Sequence, residues 1–225
     1  MNDIGIFETI YSARAIRRFK SDPVPDAIIS RILDAAIRAP SAGNSQDWLF
    51  IVITDAGQRQ KVGDIYRRAS MWVRQVYKTN PPSDANRPQY ERMLKSGFYL
   101  HEHMADAPVL IVPCLRLRHD VPDSLPEEAR SAIVREFAWR AGASIYPAVQ
   151  NIILACRALG LGTVLTTNHM LLQDEMKQVL GLPADVMTFG LMPVGYPLGK
   201  FGPVVRKPIA EIAFRDRFPR GWQEE

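Results

Sequence analysis

The sequence predicts a layered α+β or α/β fold. Short apolar, β-branched runs alternate with longer segments whose apolar residues recur at helical spacing. No Asn-Gly or Asp-Gly hairpin turn joins neighbouring runs. With 225 residues, 47% of them hydrophobic and 23% charged, the chain can bury a sizeable core without disulfides or metals, as one domain.

Residues 3–14 read as the first helix, with Ile4, Phe7 and Ile10 on one side. A basic turn, R-A-I-R-R-F (14–19), and a proline-bearing loop at 21–26 follow. Asp26 is placed to cap a second helix, in which Ile28, Ile29, Ile32, Leu33, Ala36 and Ile37 keep helical spacing. Pro40 ends it, because the residue before a proline is pushed out of the α region. After the polar loop at 41–47, residues 48–54 read as a buried strand. Asp55 and Gln58 form a capping-box pattern opening another helix. Residues 65–105 read as helix, loop, helix, with the break at 79–88. A second buried strand is expected at 108–115. A long helix should run from about Glu128 to Leu159, apolar on nearly all sides in its second half and closed by Gly160. Strands are expected at 162–167, 187–194 and 209–214, and an amphipathic helix at 171–180, stopped by Gly181.

Several function classes are disfavoured. The N-terminus carries Asp3 and Glu8 and no apolar core of a signal peptide, and no apolar run approaches the ~18 residues of a membrane span. The reading is therefore a cytoplasmic protein with no membrane partner. Cys114 and Cys156 sit in apolar runs and form no C-x-x-C pair, which reads as two buried thiols. There is no G-x-S-x-G elbow, no P-loop and no G-x-G-x-x-G opening a helix. His101 and His103 form H-x-H, but nothing nearby completes a metal-ligand set, so no metal is expected. Net charge is +4, and the basic residues are interspersed with acids and lack stacking aromatics, so no nucleic-acid partner is expected.

What remains is a set of arginines from distant segments. Arg14 and Arg17 lie three apart at the end of the first helix, and Arg206 comes from the tail. Guanidinium forks match phosphate oxygens, so these residues read either as a phosphomonoester site or as solvated surface arginines.

Four motifs, in order, resemble those of the nitroreductase family of flavoproteins. They are R-A-I-R-R-F (14–19), A-P-S-A-G-N-S-Q-D-W (39–48), G-L-G-T-V-L-T-T (160–167), and V-G-Y-P (194–197) with R-K-P (206–208). The match covers nearly the whole chain. Ala15 stands where the family often has a phosphate-binding serine, and Asp47 where proline is usual. Thr166, Thr167 and the R-K-P ending also resemble the iodotyrosine dehalogenase branch.

The resemblance implies a three-layer α/β/α fold with a mixed central sheet flanked by helices. It implies an intertwined homodimer, with a substrate lid at about 65–105 and a tail at about 198–225 that wraps the partner. The implied cofactor is FMN, with NADH or NADPH as electron donor. Arg14 and Arg206 should hold the phosphate, with any contact at Ala15 coming from the backbone. Arg17 should lean toward the flavin N1/O2 edge. The backbone of Leu165, Thr166 and Thr167 should face N5 and O4, with an N–H donor there. Pro40, Ser41 and Asn44 should reach the flavin held mainly by the other subunit. Hydride chemistry at N5 demands no catalytic side chain. The leading expectation is ping-pong hydride transfer to a small flat acceptor, such as a nitroaromatic or quinone. Two other classes stay open. One is a specialised enzyme, such as a reductive dehalogenase, a flavin-fragmenting enzyme or a pathway dehydrogenase. The other is a non-catalytic flavin-binding protein.

Overall fold

Alternation along one strand organises the molecule. In β2 (Val109–Arg116), Val109, Ile111 and Leu115 pack with one helical layer, while Leu110, Val112 and Cys114 pack with the other. The first layer is α2 (Asp26–Ala36) and α5 (Glu127–Ala158), through Ile29, Ile32, Ile145, Val149 and Ile152. The second is α3 (Ala56–Thr79), α4 (Arg87–His103) and α6 (Gln173–Leu180), through Val62, Tyr66, Leu100 and Met176. The computed structural model describes residues 4–80, 87–117 and 121–222. The ends of the expected first helix and of the tail, and much of the break at 79–88, lie outside them.

The sheet order is β1-β2-β5-β3, with β1 Trp48–Ile53, β3 Gly162–Thr163 and β5 Met192–Gly195; β4 (Val186–Thr188) also pairs with β2. The pairings among the described residues are all antiparallel, where the resemblance implied a mixed sheet. β1 lies at the edge of the sheet and is only half-buried apart from Ile53, where the sequence read as a buried strand.

Three long periodic segments stand where the sequence puts them: α5, β2 and α6. α6 stops at Gly181, which takes φ +64°; the Leu182 N–H closes back on the Lys177 carbonyl at 2.9 Å. Elsewhere the boundaries move. The cap position of α2 is Pro25, so Asp26 is the first helical residue and acts on the helix dipole, not as a side-chain cap. Half of the expected capping box forms: the Asp55 carboxylate accepts from the Gln58 N–H at 2.8 Å, but the Gln58 side chain donates to the Val179 carbonyl at 2.7 Å. The apolar run at 187–194 splits into β4 and β5, because three residues, Phe189, Gly190 and Leu191, oppose two on β2 between the pairs Cys114–Thr188 and Ile111–Met192, a one-residue bulge. The expected strand at 209–214 is a short helix, α7 (Ile209–Ile212).

α1 spans only Ile6–Ser12, and Ile6, Phe7, Ile10 and Tyr11 on it are exposed. Leu198, Val205, Ile209, Ile212 and Phe218 in the tail are exposed too. No helix among the described residues is long and apolar enough to cross a membrane.

Candidate functional site

The site grows from a close approach between two backbones. The Ile16 N–H donates to the Thr163 carbonyl at 3.0 Å, laying the segment after α1 against β3. Gly162 makes this possible: a Cβ there would lie 2.5 Å from Ile16 Cγ2 and 2.7 Å from Ile16 Cβ. Residues 13–18 lie outside any helix, so Arg14 and Arg17 do not share a helix face. The helical-spacing argument for bringing them together fails, because α1 ends at Ser12.

Arg14 instead meets Arg206 across a cavity of about 830 Å³, the size of a small-molecule site. Ala15, Thr163 and Leu165 also line it, with Ile10 and Tyr11 of α1 and Gln150 and Ile153 of α5. Leu165 is held by a second close approach: a Cβ on Gly190 would lie 2.5 Å from Leu165 Cδ1. Neither Arg14 nor Arg206 forms an ion pair among the described residues, and Arg206 bonds only the neighbouring Val205 carbonyl, at 2.9 Å. Two unpaired guanidinium groups beside an apolar wall suit a flat ligand with one terminal anion. The Thr163 hydroxyl agrees: it is buried, has no hydrogen-bond partner among the described residues, and belongs to a residue lining this cavity. FMN, a planar ring with one phosphate, fits that donor set.

Arg157 of α5 ties the contributing segments together. Its Nε–H donates to Ser12 Oγ at 2.8 Å, its Nη2 lies 3.9 Å from the Glu8 carboxylate, and its guanidinium stacks 4.4 Å over the Phe201 ring. Ser12 leads into Arg14, and Phe201 leads into Pro203, Val204 and Arg206, all of which line the cavity.

Arg17 does not line the cavity. It turns toward α3 and α4, where Nη1 donates to Ser96 Oγ at 3.3 Å and Tyr66 lies near. Burial lowers its pKa, and Arg14 lowers it further. The Tyr66 phenol beside it is 2% exposed; burial raises its pKa against the opposing effects of Ser70, Thr166 and Arg17. Tyr66 therefore stays a neutral hydroxyl between α3 and the loop after β3.

That loop differs from expectation at one point. The Thr166 N–H donates to the Leu191 carbonyl at 3.1 Å, and Thr166 Oγ1 donates to the same oxygen at 2.8 Å. The Thr166 N–H is therefore already used and is no free donor for a ring edge. Thr167 is exposed, and its N–H has no partner among the described residues. Two polar ties fix the loop's far end. Asn168 Nδ2 donates to Ser70 Oγ at 3.0 Å, and His169 Nε2 lies 2.9 Å from Thr188 Oγ1.

Pro40, Ser41 and Asn44 sit on a separate loop away from this chain's cavity. The Ala42 N–H donates to Ser144 Oγ at 3.1 Å, and the Trp48 indole donates to the Ser144 carbonyl at 2.8 Å, stapling both ends of the loop to α5. Gly43, Asn44 and Gln46 take φ of +59°, +52° and +52°; the two non-glycine residues are strained, as functional loops often are. Ser41 Oγ supports the turn by accepting from the Gln46 N–H at 3.1 Å.

Among the described residues, no group of three or more His, Cys, Asp or Glu could hold a metal ion. The His103 ring instead pairs with Asp106 at 2.7 Å. Sequence reasoning missed Thr163, Gln150, Ile153 and Arg157. Thr163 was within reach, since it follows Gly162 in the G-L-G-T motif and must face the opposite side of β3. For Arg157 the sequence carries no signal.

The nitroreductase family model matches residues 10–196, most of the chain. An NADH dehydrogenase of Thermus thermophilus is 27% identical, over 88% of this chain and 90% of its own length. Among solved structures, a BluB-like flavoprotein from Clostridium difficile superposes with a TM-score of 0.70 at 22% identity, covering 95% of this chain and all of that one. An iodotyrosine deiodinase bound to FMN and 3-iodo-L-tyrosine superposes at 0.66 and 20% identity, covering 95% and 99%. Three layers about an antiparallel sheet, the R-A-I-R-R-F segment pinned to β3 and a match over residues 10–196 agree: the chain belongs to the nitroreductase family.

Proposed function

We propose that this protein is an FMN-dependent oxidoreductase that takes hydride from NADH or NADPH and delivers it to a small flat acceptor, such as a nitroaromatic or quinone. The observation that carries the reading is the cavity between Arg14 and Arg206, with its apolar wall and its unpaired donors. Bound FMN would supply the redox chemistry; the chain binds and orients it. Arg14 and Arg206 hold the phosphate by charge-assisted hydrogen bonds. Ile153, Val164 and Leu165 offer the apolar surface. Arg17 supplies a half-buried cation toward the N1/O2 edge, where negative charge collects, and Ser96 and Tyr66 hold it. Thr167, whose N–H is unpartnered, takes the donor role expected of this loop toward N5 and O4. No side-chain acid or base is required, so donor and acceptor use one face in turn.

The working form is a homodimer located in the cytoplasm. The exposed apolar side chains of α1 and of the tail support it, because monomers rarely display such extended apolar surface. In that dimer Pro40, Ser41 and Asn44 reach the partner's flavin, residues 65–105 form the lid, and the tail wraps the partner.

The test is the visible spectrum of the purified protein, followed by acid release and chromatography of the chromophore. A yellow protein that releases FMN and is bleached by NADH or NADPH without oxygen supports the reading. A colourless protein that takes up no added FMN contradicts it.

A further inference from the structure

We propose that the Thr163 hydroxyl, which has no partner among the described residues, is a phosphate-binding donor that is satisfied when a phosphate monoester lies against Arg14 and Arg206. This rests on the flavin-site reading above and adds a residue to it.

Thr163 is 4% exposed, and its Oγ1 has no hydrogen-bond partner among the described residues. A buried hydroxyl without a partner destabilises the chain that carries it, and a valine would fill the same volume without that penalty. Its surroundings offer a reason for the threonine. Thr163 lines the large cavity together with Arg14 and Arg206, and it shares a second, small crevice with Arg14 and Arg157. Thr163 and Arg14 are therefore neighbours at the arginine end of the site.

Strand geometry gives the same placement. Successive side chains on β3 point to opposite faces. Gly162 faces Ile16, whose side chain fills the space a Cβ would need. Thr163 must point the other way, toward the cavity that Ala15 also lines. Ala15 brings no side-chain donor to that face, so the threonine is a hydroxyl next to the two guanidinium groups. A 120° staggered rotation about χ1 carries Oγ1 into the position that Cγ2 holds, with Cγ2 taking the place of Hβ, which turns a sheltered hydroxyl toward a ligand.

Such a role makes stability and affinity move in opposite directions, which a packing role does not. The experiment measures FMN and riboflavin affinity by fluorescence quenching, and the thermal midpoint of the flavin-free protein, for wild type and Thr163→Val. Loss of a hydrogen bond to a charged phosphate should weaken FMN binding about tenfold or more, with riboflavin affinity changed by less than about twofold. The flavin-free variant should melt at the same temperature as wild type or higher. Thr163→Ser should keep FMN affinity and Thr163→Ala should lose it, a comparison that stands even if the valine variant cannot be isolated. Equal FMN affinity in wild type and both hydroxyl-free variants would overturn the proposal alone. Parallel losses for FMN and riboflavin with a lower melting temperature would assign Thr163 to packing and overturn it as well. A wild type that binds riboflavin as tightly as FMN would remove the phosphate site itself, and this proposal with it.

Discussion

The Ile16 N–H and the Thr163 carbonyl oxygen are 3.0 Å apart, and this bond joins the start of the chain to the strand that borders the cavity. It is one of three such ties. The Lys20 N–H donates to the Tyr196 carbonyl at 2.8 Å, and the Leu198 N–H to the Arg18 carbonyl at 3.0 Å. Arg14 and Ala15 are thus placed by backbone pairing between segments far apart in sequence, and the fold itself assembles the site.

Gly162→Ala should disrupt that pairing. The added methyl meets the branched root of Ile16 at 2.7 Å, which no rotamer of Ile16 relieves. Overpacking of this kind destabilises by about 1–3 kcal/mol, and the displaced segment carries Arg14 and Ala15 with it. Urea unfolding should show the loss in stability, and a flavin titration should show weakened FMN binding. An unchanged variant would mean that the close approach is not held in solution.

Arg157→Ala should loosen both ends of the cavity at once, since the arginine holds Ser12, Glu8 and Phe201 together. FMN affinity should fall roughly tenfold, through the arginines this residue positions. Trypsin should cut the tail after Lys200 and Arg206 faster than in wild type. Arg157→Lys should rescue only partly, because an ammonium keeps the charge but loses the flat face stacked on Phe201. Full rescue by lysine would reduce the role to charge.

Acid should destabilise the fold through His169. The Thr188 hydroxyl donates to Gln173 Oε1 at 2.6 Å, so it accepts from His169 Nε2, and His169 Nδ1 is left buried without a donor. Burial pushes the pKa of His169 down to about 4, below its value in an unfolded chain. The unfolded state therefore binds the proton first, and stability is lost as pH falls from about 6.5 toward 4. At pH 5 the linkage amounts to about 2 kcal/mol. Urea midpoints at pH 7.5 and pH 5 measure it, and His169→Gln should reduce the difference without abolishing it, because burial and Arg74 also push His101 down to about 4. An equally steep loss in the variant would place the acid sensitivity elsewhere.

Deleting residues 200–225 should lower both the dimer fraction and the FMN content. The deleted segment carries Arg206 along with the exposed Ile209, Ile212 and Phe218. Light scattering at micromolar concentration reads the first effect and the absorbance ratio the second. A wild type that is a stable, flavin-loaded monomer would contradict the dimer.

Legibility from sequence followed the range of the interactions. α5, β2 and α6 could be read because each is long or periodic enough for local pattern to match burial. The split between β4 and β5 was invisible, since the run from Val186 to Gly195 is apolar apart from Thr188 and the one-residue bulge is set by its pairing with β2. α1 was overextended, and with it the argument that Arg14 and Arg17 share a helix face; their true neighbours, Arg206 and Ser96, are set by tertiary contacts. The motifs named Leu165 and Arg206, which do line the cavity, and Thr166, whose N–H is consumed by Leu191. Arg157 could not be found by pattern, because its three contacts come from Glu8, Ser12 and Phe201.

The most direct test of the central claim, a flavin phosphate held between Arg14 and Arg206, is the ratio of FMN to riboflavin affinity in wild type and in Arg206→Ala. One charge-assisted contact contributes on the order of 1.5–3 kcal/mol, so FMN binding should weaken roughly ten- to a hundredfold. Riboflavin, which lacks the phosphate, should bind both proteins about equally. If Arg206→Ala loses FMN and riboflavin affinity to the same extent, or loses neither, the phosphate does not lie where this account puts it.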